Sequence, residues 1–301
     1  MKNVSSRTSI WLVNTLLNYG RLSLEDLRTI WNESQEFSDN GVLHRIKLQR
    51  IIASAQDIFG IVIECDRRDG YRYYIAANTN AKAAELLISS QAIRDAILER
   101  DSVRERILLE DIPSGQYHLS TIISAISKEK ALEMVYRKFS DSEPVTSYIE
   151  PYCVKISHQR WYLLARKDHR DHLQVFALDR ILKLRILQDH SFTPPADFSA
   201  HDYFNNYFGV HTGSNLYPSI IRIRVDQFWR NYFRTLPLHH SQREVDTTVD
   251  DCIFEYTLAV TPDFVNHLLS YGASIEVLEP QSLRQTMLDN IRRMSSLYDP
   301  K

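Results

Sequence analysis

Apolar positions along this chain change period from segment to segment, and the changes mark its elements. From Arg7 to Tyr19, Ile10, Val13, Leu16 and Leu17 recur at helical spacing, predicting a helix that stops at Gly20. Ser23 stands three residues ahead of Asp26, a capping box with Asp in place of the usual Glu. Leu24, Leu27 and Ile30 make the short helix it opens. A longer helical pattern runs from about Val42 to Phe59, with Leu43, Ile46, Ile51, Ile52, Ala55 and Ile58 as its apolar stripe and Gly60 as its stop. Residues 61–75 then read as two strands around Asp69-Gly70, a dipeptide suited to a hairpin turn.

Residues 80–111 contain neither Gly nor Pro and keep a roughly helical period, so a helical linker is expected over 78–117. Such a helix either pairs with a second copy of the chain or packs on its own domain. A short helix from His118 follows. Between Glu133 and Phe192 the period drops to two, giving about five short strands separated by polar turns. Five strands in so few residues predict a small barrel over 118–195, closed so that no edge is left open. Residues 196–301 alternate differently. SIIRIRV, HHSQREVDTT, CIFEYTLAV and SIEVLEP read as strands, and DQFWRNYFRTL and TPDFVNHLLSYG as helices between them. This is the β-α-β-β-α-β order of a ferredoxin-like unit, with QSLRQTMLDNIRRMSSLY as an added helix. The fold class expected is therefore α+β and multidomain.

Helix, short helix, basic helix and basic-tipped hairpin, all within residues 1–77, follow the order of a winged helix-turn-helix. In that module a recognition helix enters the major groove and the hairpin touches the backbone. The candidate DNA contacts are His44, Arg45, Lys47 and Arg50 on the third helix, with Arg67, Arg68 and Arg72 at the hairpin. The competing reading is that these are solvated cationic faces. Net charge does not decide the matter: it is −2 for the whole chain, and only the local clusters are basic.

Composition lies near the globular average, with no run of membrane-span length. Cys65, Cys153 and Cys252 are too far apart for a metal motif or a disulfide framework, and the N-terminus shows no signal-peptide pattern. Together these predict a cytoplasmic protein with no membrane partner. Phosphate-binding glycine loops, zinc-protease motifs and nucleophile elbows are all absent from the sequence. Cys153 and His158 lack a matched orienting group. Neither enzymatic activity nor a cofactor or metal is expected.

The stretch QRWYLLARK, residues 159–167, carries the most specific signal. On a strand, Arg160, Tyr162, Leu164 and Arg166 share one face and Trp161, Leu163 and Ala165 the other. The next strand puts Phe176, Leu178 and Arg180 on one side. A face of tyrosine and arginine is costly to bury unpaired. It suits an anion with a planar part, such as a nucleotide or single-stranded nucleic acid. Alternatively, the arginines pair with Glu150, Asp168 or Asp179.

Arg160-Trp161-Tyr162-Leu163, the downstream Phe176-Ala177-Leu178-Asp179-Arg180-Ile181 and the preceding Glu150-Pro151-Tyr152 resemble the signature of WYL-domain proteins. Those are bacterial transcriptional regulators with an N-terminal winged helix-turn-helix, an Sm-like WYL barrel and a C-terminal extension called WCX. The resemblance implies a ligand-responsive homodimer that binds double-stranded DNA and senses a nucleotide or single-stranded nucleic acid in the barrel. Carried over by motif, the effector contacts are Tyr136, Tyr162 and Arg180, to which strand parity adds Arg160, Arg166 and Phe176. The commoner family pattern reads Phe-Arg-Leu-Asp-Arg, and Ala177 stands where its first arginine would be. A second reading from a different class is a single-strand or nucleotide sensor whose helix-turn-helix is a protein-docking surface.

Overall fold

A computed structural model describes residues 6–34, 41–76, 87, 90, 115–213 and 215–298. The chain divides into two compact units, Met1–Glu110 and Asp111–Lys301. The linker expected over 78–117 falls almost wholly outside the described residues.

In the first unit, helices α1 (Ser6–Tyr19), α2 (Leu24–Glu33) and α3 (Arg45–Phe59) precede an antiparallel hairpin of β1 (Ile63–Asp66) and β2 (Arg72–Ile75). The Ser23/Asp26 capping box forms as the spacing predicts: the Asp26 N–H donates to Ser23 Oγ at 3.2 Å, and the Ser23 N–H donates to Asp26 Oδ2 at 2.8 Å. Leu12, Val13, Leu16, Leu27, Trp31 and Leu43 share one core with Leu48, Ile51, Ala55 and Phe59 of α3. Trp11 and Trp31 meet edge to face at 4.9 Å. The hairpin is tied down at the α1–α2 turn, where Leu22 and Tyr73 exchange both backbone hydrogen bonds.

The buried stripe of α3 differs from the one its sequence predicts. Leu48, Ile51, Ala55 and Phe59 face the core at spacings of three and four, while Ile46 and Ile58 are exposed. The helix also starts later than expected. His44 is its N-cap, with Nδ1 accepting the Lys47 N–H at 3.0 Å, and Gly60 closes it in the left-handed region at φ +62°.

The second unit opens with α4 (Leu119–Ser127) and a five-stranded antiparallel sheet. Its strands are β3 (Lys130–Tyr136), β4 (Val145–Ser157), β5 (Arg160–Lys167), β6 (Leu173–Ala177) and β7 (Ile181–Ser191), in the order β6-β5-β4-β3-β7. Ile122 and Ala125 of α4 pack with Leu132, Met134, Ile149, Leu163 and Phe176 of the sheet. The closed barrel expected from the strand count does not form: among the described residues β6 and β7 are the unjoined ends of the sheet. They follow one another in sequence, yet the turn Leu178–Arg180 sends the chain to the far side of β3 instead. Gly115 locks that turn. At φ +65°, a Cβ there would sit 2.3 Å from the Leu178 carbonyl carbon, so only glycine admits this backbone approach.

After a short helix α5 (Ala200–Phe204), the second sheet is built from β8 (Pro218–Asp226), β9 (Arg243–Thr247), β10 (Asp251–Ala259) and β11 (Ile275–Glu279), in the order β11-β8-β10-β9 with every pair antiparallel. Helices α6 (Arg230–Thr235), α7 (Pro262–Leu269) and α8 (Gln281–Tyr298) complete it, with Phe233, Phe254, Phe264, Leu268, Leu283 and Met287 in its core. Thr261 caps α7 by accepting the Phe264 N–H at 3.2 Å, with Pro262 as its first residue. His239 and His240 precede β9 rather than lying in it. Among the described residues no helix is long and apolar enough to cross a membrane.

Candidate functional site

Two places gather the side chains singled out in the sequence, one in each unit. In the first unit, burial of Leu48, Ile51 and Ala55 turns the opposite face of α3 outward. Arg45, Ile46, Gln49 and Arg50 lie there one turn apart and exposed. Arg45 and Arg50 take part in no ion pair among the described residues, and neither do Arg67 and Arg68 on the loop of the hairpin. The other predicted contacts are differently engaged. The His44 ring is a helix cap. The Lys47 ammonium lies 4.3 Å from the centre of the Trp31 ring and donates to Gly41 O at 3.3 Å, and partial burial holds its pKa below the usual lysine value. Arg72 is 3.8 Å from Asp69, and Arg21 pairs with Asp66 at 3.0 Å while stacking on Tyr74. The exposed positive surface is therefore narrower than the sequence suggests: Arg45 and Arg50 on the helix, Arg67 and Arg68 on the hairpin.

In the second unit, a cavity of about 850 Å³ opens on the first sheet beside the segment that follows it. Tyr136 of β3, Tyr162 of β5, Phe176 of β6 and Arg180 of the adjoining turn line it, so four of the six predicted effector contacts converge. Local packing fixes each of them. Tyr136 meets Phe176 edge to face at 5.3 Å and accepts the Ala177 N–H at 3.3 Å. The Arg180 guanidinium lies 3.8 Å over the Phe139 ring. Arg180 Nε and Asp179 Oδ1 are both buried without a hydrogen-bond partner among the described residues. Burial raises the phenol pKa of Tyr136 and of Tyr162, so both stay neutral at physiological pH.

The remaining two predicted contacts lie outside this lining. Arg166 binds Glu150, whose side chain is only 4% exposed, and His169 Nδ1 approaches the other carboxylate oxygen at 3.3 Å. Arg160 stands 3.8 Å from Asp179. Strand parity groups these arginines with Tyr162, but carboxylates occupy them. Arginines of β8 and α6 are engaged as well: on β8, Arg222 with Glu255 at 3.0 Å and Arg224 with Glu276 at 2.5 Å; on α6, Arg234 with Glu244 at 2.5 Å and Arg230 with the Thr248 carbonyl at 3.2 Å.

Several lining residues were not foreseen: Lys138 and His172 at the ends of strands, and Tyr203, Tyr207 and His211 on the segment after the sheet. The only sequence signal among them is the Tyr203/Tyr207 spacing of four. Asp263 holds this segment in place. Its Oδ2 accepts the N–H groups of Val210 at 2.7 Å and His211 at 2.9 Å, and its Oδ1 lies 2.6 Å from His211 Nδ1. Burial opposes ionisation of Asp263, but these bonds outweigh it and hold its pKa below the usual carboxylate value. Gly209 permits the approach, since a Cβ there would lie 2.3 Å from Asp263 Oδ2. From the sheet side, Lys155 Nζ donates to the Gly209 carbonyl at 2.6 Å. Asp171 is the second carboxylate of the lining and is exposed to solvent; with Asp263 engaged, Lys138 and Arg180 offer an anion its charge contacts, and the tyrosines suit a planar group. Among the described residues no cluster of His, Cys, Asp or Glu could hold a metal ion.

Comparison with known proteins matches residues 117–186 to the WYL domain and residues 218–295 to the WCX domain. Among solved structures, proteasome accessory factor B/C (PafBC) of Arthrobacter aurescens is similar at 18% identity and a TM-score of 0.36, over 98% of this chain and 47% of that one. A CRISPR Cas-related protein is similar at 13% identity and a TM-score of 0.40, over 99% of this chain and 88% of that one. The chain spans about half the length of the PafBC chain. No curated protein matches it.

Proposed function

We propose that this chain, which carries a WYL domain followed by a WCX domain, is a cytoplasmic, ligand-responsive transcriptional regulator that binds duplex DNA as a homodimer. In this reading the first unit is a winged helix-turn-helix. Arg45 and Arg50 reach into a major groove from α3, while Arg67 and Arg68 neutralise the adjacent backbone. The WYL sheet is an Sm-like module and the β8–β11 sheet with its helices is ferredoxin-like, on the strength of their strand orders. The cavity binds the effector, a nucleotide or a short single strand. Tyr136, Tyr162 and Phe176 offer ring faces, and Arg180 with Lys138 offers positive charge.

The observation that carries the reading is Arg180: a guanidinium with a buried, unpartnered Nε, held by Phe139 at the edge of an 850 Å³ cavity walled by tyrosines. An unpaired buried donor costs free energy that a bound acceptor returns. An effector shifts the two reading heads only by as much as its affinity differs between their arrangements. No catalytic role is proposed. Burial raises the Cys153 thiol to about 11, which leaves it protonated and a poor nucleophile.

The test is retention of sheared genomic duplex by the purified chain at about 150 mM salt, where non-specific phosphate binding is weak, followed by sequencing with and without added nucleotides. Enriched sites with two-fold symmetric half-sites about 10 bp apart, or a multiple of that, are expected. Preference for single strands with no duplex enrichment would refute the regulator reading in favour of a single-strand sensor.

A further inference from the structure

Ile46 is an apolar side chain that the core of the first unit leaves out. It is 61% exposed on the first turn of α3, although the helical pattern assigns it to the core. Of the other aliphatic side chains nearby, Leu48 and Ile51 are buried and Ile52 is half-buried, while Val42, just ahead of the helix, is exposed like Ile46. Arg45 and Arg50 flank Ile46 on the exposed face, together with Gln49. An isolated surface isoleucine needs no explanation in general. This one lies between two cations that make no ion pair among the described residues, on the helix proposed to enter a major groove.

The chemistry of that groove has one apolar feature, the C5-methyl of thymine. Its adenine presents an acceptor and a donor that a glutamine amide matches with two bonds. Ile46 and Gln49 are three residues apart, about 4.5 Å along the helix axis. That is close to the ~3.4 Å rise between base pairs. We infer that Ile46 packs on a thymine methyl group and that Gln49 reads adenine in the same or an adjacent pair. The target half-site then carries an A·T step where the first turn of α3 docks. This inference rests on the duplex-reading assignment above and adds what is read.

The experiment takes the duplex site retained by the full chain and replaces each thymine in turn with uracil, which removes only the methyl group. Wild-type affinity is expected to fall about fourfold at one position per half-site, the effect of one methyl group leaving an apolar contact. Ile46→Ala should bind the thymine site about as weakly as wild type binds the uracil site, and should be indifferent to uracil there. Ile46→Val, which keeps a branched contact, should retain part of the difference. Gln49→Ala should accept other bases opposite that thymine or beside it. Because Ile46 is exposed, the variants should melt like wild type. Tolerance of uracil at every position would overturn the thymine contact, and an undiminished uracil effect in Ile46→Ala would overturn its assignment to Ile46. Failure to retain any duplex would instead refute the reading of DNA by α3, and this inference with it.

Discussion

Replacing Arg166 with methionine tests whether the basic face of the WYL strand is one site or two kinds of residue. The Glu150 carboxylate is 4% exposed and is held by Arg166 and, at 3.3 Å, by His169. Removing one partner of a buried pair strands the other charge, typically at about 3–5 kcal/mol. Here the Arg166 side chain is 35% exposed and His169 remains, so solvent and a second partner screen part of the cost. The expected destabilisation is about 2–3 kcal/mol. For a unit of this size that lowers the melting temperature by roughly 4–12 °C. Calorimetry of the second unit's transition measures it. Adding Glu150→Gln removes the stranded charge and should recover more than ~1 kcal/mol of the loss, since contacting residues couple on that scale. Binding of effector by the Arg166→Met protein below its melting transition should be unchanged. A melting temperature equal to wild type, combined with loss of effector binding, would refute the assignment and return Arg166 to the ligand site.

Arg180→Ala and Tyr162→Ala should do the reverse, leaving duplex binding intact and abolishing the effector response in a titration of the preformed complex; unfolding of either variant would make the residue structural. Arg45→Ala and Arg50→Ala should each weaken specific duplex binding by about 1–3 kcal/mol if they contact bases. Arg67→Ala and Arg68→Ala should weaken all sequences alike and lower the salt slope by about one each, measured by fluorescence anisotropy. Glu244 is held down to about 2 from 4.5 by hydrogen bonds from Arg234 and Thr247. A depressed carboxyl pKa contributes stability above the unfolded value and loses it as pH falls. The urea midpoint of the wild-type second unit should therefore fall between pH 4.5 and about 2 more steeply than that of Glu244→Gln.

The elements were legible wherever local chemistry alone sets them. The Ser23/Asp26 box, the Thr261-Pro262 helix start and the glycine stops at Gly20 and Gly60 needed no tertiary information. The helical period puts Ile46 in the core because it accepts either of two neighbouring stripes. Contact with α1 selects Leu48, Ile51 and Ala55, and nothing local marks that choice. Strand count alone does not decide barrel closure. The actual course of β7 depends on the backbone packing of Gly115 against Leu178, which lies more than sixty residues downstream. The cavity was half legible. Its sheet side follows from motif and alternation, whereas its other wall comes from residues 203–213, positioned by Asp263 some fifty residues away.

What separates the arginines of the motif region is the charge each one faces, and strand parity does not encode that. Arg160, Arg166 and Arg180 lie within about twenty residues and all look equally available in sequence. Arg166 stands opposite Glu150 in the β4–β5 register, so pairing is built into the ladder. Arg160 leans to Asp179 at 3.8 Å, leaving that carboxylate one oxygen engaged and one without a partner. Arg180, in the same turn as Asp179, faces no carboxylate within ion-pair distance among the described residues and rests on an aromatic ring instead. A cation over a ring keeps most of its outward field, because the ring quadrupole screens far less than a full negative charge. Of the three, Arg180 alone lines the cavity, and it is the one whose charge the protein leaves uncancelled.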